Sequence, residues 1–538
     1  MSDLYLESVY PKVVGIVRSP TNQAATLPAI VALLQHLISS PATAKCFQFK
    51  VVFADLYSTT STSVLQNTTS LSNLSKCVAG ISRATTSFDQ QKEVVALFVS
   101  DLSSDSYATR ELALLCVAEV GRFSAKLTES HPDLREKVVR CLDSQNEEVQ
   151  LAAATCLGRI AAGNMTQFLP TLLGAPHRYL LWCAVKEMLL VLGDAEGLGH
   201  LGTHLEGVLE ALLRQCRPLQ NDNNNSDTND NNTSNNTTDN INTSITNSTD
   251  DSVKNIVAEC LGVLVSMLPN RVVHVLLDDS VDRKMMLNSL RFSLSRSLMH
   301  RKSDAESVVV IGEAMEKILL LLLDHDDLET RRCCLLLINT ALHHHPSCIY
   351  KHVHNLVVPK LMATLQIRLE RSVDLGPFKH RVDDNLPSRK ACMTCIETIL
   401  EVMPEQFDTT SFLSITPLLL TDKNEIKLQT YLVLAKISSV NPTALLAVID
   451  QLIDPLEKSV GKKTSSSNTS SLVGPELERA QEGLKSVVRL VVELQHGVDL
   501  LSGNRRWKEF VDRLKLLEDV PSMFLSVEAE RDGRRREV

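Results

Sequence analysis

Aromatic side chains are scarce in this chain: phenylalanine, tyrosine and tryptophan together make up 4% of its 538 residues. Glycine and proline are sparse too, at 20 and 19 residues. A protein of many short strands needs aromatics, β-branched residues and turn glycines, so an all-β fold is disfavoured. Long apolar runs are missing as well. A pure run such as Ile318 to Leu323 falls far short of the ~20 residues that span a bilayer, so no membrane segment is expected. No positive excess steers the surface toward nucleic acid: the net charge is −9, and the basic run Arg534-Arg535-Arg536 reads as a solvated tail. Met1 to Val17 lacks a basic segment followed by an apolar core, so no signal peptide is expected.

What is present is leucine, alanine and valine, which fill the core of a stack of short helices. The thirteen cysteines are scattered, odd in number and set in apolar helical patterns. Free buried thiols in a reducing compartment explain them better than disulfides do. A cytoplasmic or nuclear location follows, and triplets such as Asn67-Thr68-Thr69 are then expected to be unglycosylated.

A repeat emerges when the segments beginning Thr109, Val149, Val253, Thr330, Ser388 and Ile426 are aligned. Each start is followed by apolar or small residues at steps of three and four, as in Ala152, Ala153, Cys156, Leu157, Ile160 and Ala161. That is one face of an amphipathic helix. The next residue is usually basic (Arg110, Lys254, Arg331, Arg389, Lys427), with Gln150 the exception. Sixteen residues after the start, four copies carry a proline: Pro269, Pro346, Pro404 and Pro442. Proline cannot continue a helix but suits the first position of the next one. Starts 109 and 149 lie 40 apart, and 388 and 426 lie 38 apart. The spacing predicts an all-α solenoid of HEAT/armadillo-type helix pairs. The recurrent basic residue is expected to bond the acidic turn of the neighbouring repeat, as a nearest-neighbour interface term should, rather than to form a positive binding stripe.

Three interruptions break the period. Asn221 to Asp251 is almost wholly Asn, Asp, Ser and Thr; it has too little apolar surface to offset its ordering entropy and is expected to be a disordered loop. Gly461 to Gly474 reads as a shorter flexible loop. The third lies between starts 330 and 388, which are 58 apart. There Ile367, Leu369, Val373 and Leu375 alternate with polar residues, Gly376-Pro377 turns the chain, and Phe378 to Val382 can run back. A β-hairpin projecting from a helical stack is suited to insert into, or pair with, another protein. The organisation is thus repeats over 1–215, a disordered insertion over 216–252, repeats over 253–365, a projecting hairpin over 366–387, C-terminal repeats over 388–523 with a loop at 461–474, and a tail over 524–538.

Catalytic signatures do not appear. The histidines 343 to 345, with His352 and His354, point to different helix faces and have no cysteine pair at zinc-ligand spacing. Cys392-Met393-Thr394-Cys395 lies inside an amphipathic helix, where core packing is expected rather than redox chemistry. There is no phosphate-binding glycine loop, HExxH or GxSxG, so the chain is expected to bind protein without catalysis and without a metal or cofactor.

The hairpin text Gly376-Pro377-Phe378-Lys379-His380, then Val382-Asp383-Asp384, Leu386 and Arg389-Lys390-Ala391, resembles the C-terminal region of the cullin-associated, neddylation-dissociated proteins, also called the TATA-binding-protein-interacting HEAT proteins. Lys76-Cys77-Val78-Ala79, Gly163-Asn164 with Phe168-Leu169-Pro170, Val257 to Gly262 and Pro455-Leu456 carry the likeness further along the chain. The resemblance implies a regulator that binds the N-terminal region of an unneddylated cullin in its complex with a RING subunit. It further implies competition with substrate-receptor adaptors, and so adaptor exchange, with Gly376, Pro377, Phe378, Lys379, His380, Val382, Asp383 and Asp384 as the contact residues. The Asp383-Asp384 pair is expected on the polar rim around Phe378. The chain is shorter than full family members and corresponds to their C-terminal portion, so an N-terminal arm is expected to be absent. Another HEAT scaffold, karyopherin-like or phosphatase-scaffold-like, is the alternative reading.

Overall fold

The repeat helices begin where capping side chains stop the preceding turn. Ser106, Asn146 and Asp327 each accept a hydrogen bond from the backbone N–H three residues on, at Thr109, Val149 and Thr330. These acceptors satisfy donors that a helix N-terminus leaves free. The computed structural model describes residues 9–19, 26–41, 43, 47–57, 68–83, 87–174, 179–193, 201–216, 239–296, 302–374, 379–464, 475–517 and 519–537. Side chains are described for all of these except 239–250, 302–304, 374, 379–380, 461–464, 475–477, 479–480 and 532–537.

The chain divides into two units, Met1–Phe292 and Ser293–Val538. The first holds α1 (Tyr10–Arg18), α2 (Leu27–Ser39), α3 (Phe49–Tyr57), α4 (Thr68–Arg83), α5 (Phe88–Asp101), α6 (Tyr107–Gly121), α7 (Ala125–Glu129), α8 (Leu134–Cys141), α9 (Glu147–Gly163), α10 (Met165–Leu173), α11 (Tyr179–Val191), α12 (Leu205–Cys216), α13 (Asp239–Met267) and α14 (Pro269–Leu276), with α15 (Arg283–Arg296) at its end. Helices α4, α6, α9, α11 and α13 pack one against the next as a continuous layer. The second unit holds α16 (Lys302–Leu322), α17 (Leu328–His344), α18 (Val358–Gln366), β1 (Glu370–Asp374), β2 (Lys379–Asp383), α19 (Leu386–Val402), α20 (Thr409–Leu419), α21 (Asn424–Val440), α22 (Pro442–Thr464), α23 (Pro475–Gly497), α24 (Arg505–Lys515) and α25 (Val520–Glu537). Here α17, α19, α21, α23 and α25 form one layer, with α18, α20, α22 and α24 behind it. Both units are HEAT-type stacks, and β1 and β2 form the one sheet among the described residues.

The proline signal has a backbone cause. The first helix of four repeats ends on one residue outside the helical region: Leu268, His345, Met403 or Asn441, with φ from −138 to −147° and ψ from 61 to 72°. Each of these N–H groups donates 2.8 Å to the carbonyl four residues earlier, and a proline follows. Proline biases the residue before it out of the helical region, so it fixes this bend. Asn164 adopts the same bend at φ −146° and ψ 74° with Met165 in the proline position, and its side chain caps Gln167 instead.

Close packing sets the layer. In α9 the expected face (Val149, Ala152, Ala153, Cys156, Leu157, Ile160, Ala161) is buried. A Cβ on Gly158 would sit 2.3 Å from the Ala184 carbonyl of α11, so only glycine permits that approach. Cys392 and Cys395 are fully buried in α19, where burial pushes the Cys392 thiol up to about 12 and Cys395 up as well. Twelve cysteines among the described residues are free. No helix among the described residues is long and apolar enough to cross a membrane.

Two expectations need correction. Helix α13 begins at Asp239, inside the stretch read as loop, because the backbone continues the helix through polar residues upstream of its apolar face. The remainder of that stretch to residue 238 lies outside the described residues, as do 465–474 of the second loop, whose residues 461–464 are the end of α22. The basic ladder is also less uniform than expected. Arg389 makes the inter-repeat bond, whereas Arg110 stacks on Tyr107 at 4.7 Å. The Nε atoms of Arg110 and Arg331 are buried without a hydrogen-bond partner.

Candidate protein-binding site at the hairpin

The hairpin forms because β1 and β2 are short alternating segments that pair antiparallel, Glu370 opposite Asp383 and Asp374 opposite Lys379. Opposed residues share a face. Arg371, Val373, His380 and Val382 therefore lie on one face, and Glu370, Ser372, Arg381 and Asp383 on the other. Ion pairs join Arg371 to Asp384 at 2.7 Å and Arg381 to Glu370 at 3.9 Å, both exposed and each worth little alone.

The base is built differently. Asp383 turns inward: its Oδ1 accepts the N–H of Leu369 at 3.0 Å and of Asn385 at 3.1 Å, while Oδ2 pairs with the Arg389 guanidinium. Arg389, fully buried in the first turn of α19, reaches on to Asp422 in the turn before α21. Arg368, just before β1, binds the same Asp422 at 3.0 Å. Buried Asn385 donates through Nδ2 to the Ile367 carbonyl at 2.8 Å. Burial alone would depress the Arg389 pKa, but hydrogen bonds and charge from Asp422 and Asp383 outweigh it and raise it. Burial alone would likewise raise the Asp422 pKa; Arg389, the Lys423 N–H and Arg368 hold it below 3.8. The hairpin is thus fixed at its root to two successive repeats.

The expected contact residues divide. Gly376, Pro377 and Phe378 lie outside the described residues, and Lys379 and His380 are placed in β2 by backbone alone. Val382 is half-buried and Asp384 is held by Arg371. Asp383 is corrected from outer rim to inner anchor, because its carboxylate is engaged by three donors. The sequence reading missed Asp422, Arg368 and Arg371. The available signal was the acidic turn two residues ahead of helix α21, placed to meet a basic residue one repeat earlier. Beside the root, Ile367 and Leu369 are exposed at 41% and 42%, an apolar shoulder flanked by charge. Exposed apolar side chains with a polar rim and open strand edges suit a protein partner.

Residues 348–515, which contain this whole arrangement, match the family described as TATA-binding protein interacting (TIP20). Cullin-associated NEDD8-dissociated protein 1 of Dictyostelium discoideum is 26% identical over 97% of this chain and 40% of its own length. The chain is thus similar to the C-terminal region of the cullin-associated NEDD8-dissociated proteins. The relative named as the C-terminal part of such a protein, from Emericella nidulans, is 24% identical over 78% of this chain and 37% of its own length. The chain therefore spans about two fifths of the length of these relatives. The described residues share with them a stack of HEAT-type helix pairs and the hairpin text. The karyopherin Kap121p bound to RanGTP superposes with a TM-score of 0.49 at 10% identity, over 97% of this chain and 54% of that one; at that score only a loose likeness of stacked helices is meant.

Proposed function

We propose that this chain binds the N-terminal region of an unneddylated cullin in complex with its RING subunit, and that its hairpin occupies the surface used by substrate-receptor adaptors. Adaptor exchange follows. Competition for overlapping sites in a transient ternary complex speeds dissociation of the bound adaptor. The observation that supports this most is the root: Arg389 held between Asp383 and Asp422 ties the base of the hairpin to two successive repeats. A preorganised element binds without first losing its own freedom. Phe378, which follows Gly376-Pro377 in the sequence, is the proposed apolar anchor, with Lys379, His380 and Asp384 after it in the sequence.

Calorimetry against an unmodified cullin, its isolated N-terminal region and its RING end tests the reading. Binding to the N-terminal region is expected, and binding restricted to the RING end overturns it. Phe378→Ala is expected to weaken adaptor release about thirtyfold, the size of a lost hot-spot anchor, with unchanged thermal unfolding. A lowered melting temperature with normal release would make Phe378 a packing residue instead.

A further inference from the structure

The first unit carries a groove that the hairpin does not use. It has a volume of about 420 Å³ and lies among α2, α4 and α6. One wall is apolar, formed by Leu27, Val31 and Ala79. That wall is tightly built: a Cβ on Gly80 would fall 2.4 Å from Val31 Cγ1, and the Gln35 side chain donates to the Gly80 carbonyl at 2.8 Å. On the other side stands Phe123, 53% exposed. Two guanidiniums lie against its ring, Arg83 at 3.9 Å and Arg122 at 4.3 Å from the centroid.

The charges in the groove do not balance. Lys76, Arg83 and Arg122 line it with one carboxylate, Glu119. Glu119 is already engaged by Arg122 at 3.2 Å and by Arg159. Among the described residues neither Lys76 nor Arg83 has a carboxylate partner. Burial, and then the neighbouring charges of Arg159 and Arg83, lower the Arg122 pKa against the pull of Glu119. An incoming carboxylate would relieve that repulsion.

We propose that this groove binds an acidic peptide segment of a partner protein. A carboxylate engages Arg83 and Lys76, and an adjacent apolar side chain lies between Phe123 and the Leu27–Val31–Ala79 wall. The volume suits one or two side chains, within the range of small binding clefts. A nucleic acid fits less well: three cations make no backbone-tracking stripe, and the chain as a whole carries −9.

The test uses the full chain and a fluorescently labelled peptide of repeating Asp-Leu-Glu, followed by anisotropy. Binding that weakens with salt is expected, since the pair is near the surface. Arg83→Glu should weaken it at least tenfold and Phe123→Ala about tenfold, with the melting temperature of the Arg83 variant unchanged because that side chain is exposed. Arg505→Glu, exposed on α24 in the other unit, should leave affinity as it was. Unchanged affinity on Arg83→Glu overturns the proposal. So does equal binding of a Lys-Leu peptide, or displacement of the acidic peptide by single-stranded oligothymidylate at comparable concentration.

Discussion

Each unit contains an arginine held between two carboxylates, and the two are buried to different depths. In the first unit Arg159 of α9 bridges Glu119 of α6 and Glu187 of α11, and its side chain is 19% exposed. In the second, Arg389 bridges Asp383 and Asp422 and is wholly enclosed. The first links three helices of one layer that apolar contacts already hold together. The second ties a hairpin, which has no core of its own, to two repeats. Partly wet ion pairs add modestly to a packed interface, whereas a fully buried set is tolerable only when complete. Depth therefore separates a charge that trims the stack from one on which a projecting element depends.

The sharpest way to break this contrast is Arg389→Met. It leaves Asp383 buried without its cation and Asp422 with Arg368 alone, and should cost about 3–5 kcal/mol in thermal or denaturant unfolding. Adding Asp383→Asn and Asp422→Asn should restore part of the loss. The native contribution of Asp422 is also pH-dependent. A carboxylate whose pKa is held below 3.8 on folding binds fewer protons folded than unfolded, so its stabilisation is present above that pH and is lost as pH falls below it. Asp422→Asn should flatten that acid limb.

Glu111 in α6 responds in the opposite sense. Burial, then the charge of Glu148, raises its pKa to about 7 from 4.5. The folded chain then holds a proton that the unfolded chain releases, so stability falls as pH rises from 4.5 to about 7 and stays lower above. Glu111→Gln should stabilise the protein at pH 8 by about 2–3 kcal/mol and have little effect at pH 4, read from melting temperatures at both. No gain at pH 8 would show that the carboxylate is well solvated.

Arg159→Met should cost about 1–2 kcal/mol, less than Arg389→Met, because water reaches part of the site while Glu119 remains buried. Equal losses for the two arginines would erase the distinction by depth. The smallest effect is expected for Pro442→Ala, about 0.4–1 kcal/mol, through greater freedom of the unfolded chain at a bend whose hydrogen bond survives.

Features that depend on neighbours in sequence were legible before the structure. The helix faces, the prolines at the bend and the alternating strands are local patterns, and they stand where the periodicity puts them. Every start at 109, 149, 330, 388 and 426 falls two residues inside its helix, a constant offset caused by polar and capping residues that carry no apolar signal. Features that depend on distant neighbours were not legible. Nothing local distinguishes Asp383, which is buried, from Asp384, which is exposed enough to meet Arg371; the pleat and the position of Arg389 decide it. Arg110 and Arg389 occupy the same repeat position, yet only Arg389 meets an aspartate on each side. The groove among α2, α4 and α6 likewise depends on side chains that converge from three helices.

The bend that ends the first helix of a repeat has a consequence for how this architecture changes length. At Asn164, Leu268 and Asn441 the second helix of a pair starts one residue on, behind a closed backbone hydrogen bond, whereas after His345 and Met403 short helical turns intervene before α18 and α20. Additions gather at the other joint, between pairs: the hairpin stands between α18 and α19, residues 217–238 fall between α12 and α13, and 465–474 between α22 and α23. Where a single residue makes it, the first joint behaves as a tight coupling, and the second behaves as a port. Closing a longer loop adds cost only logarithmically, so a port accepts new text with little penalty. New binding elements can therefore be gained or exchanged at ports without redesign of the stack.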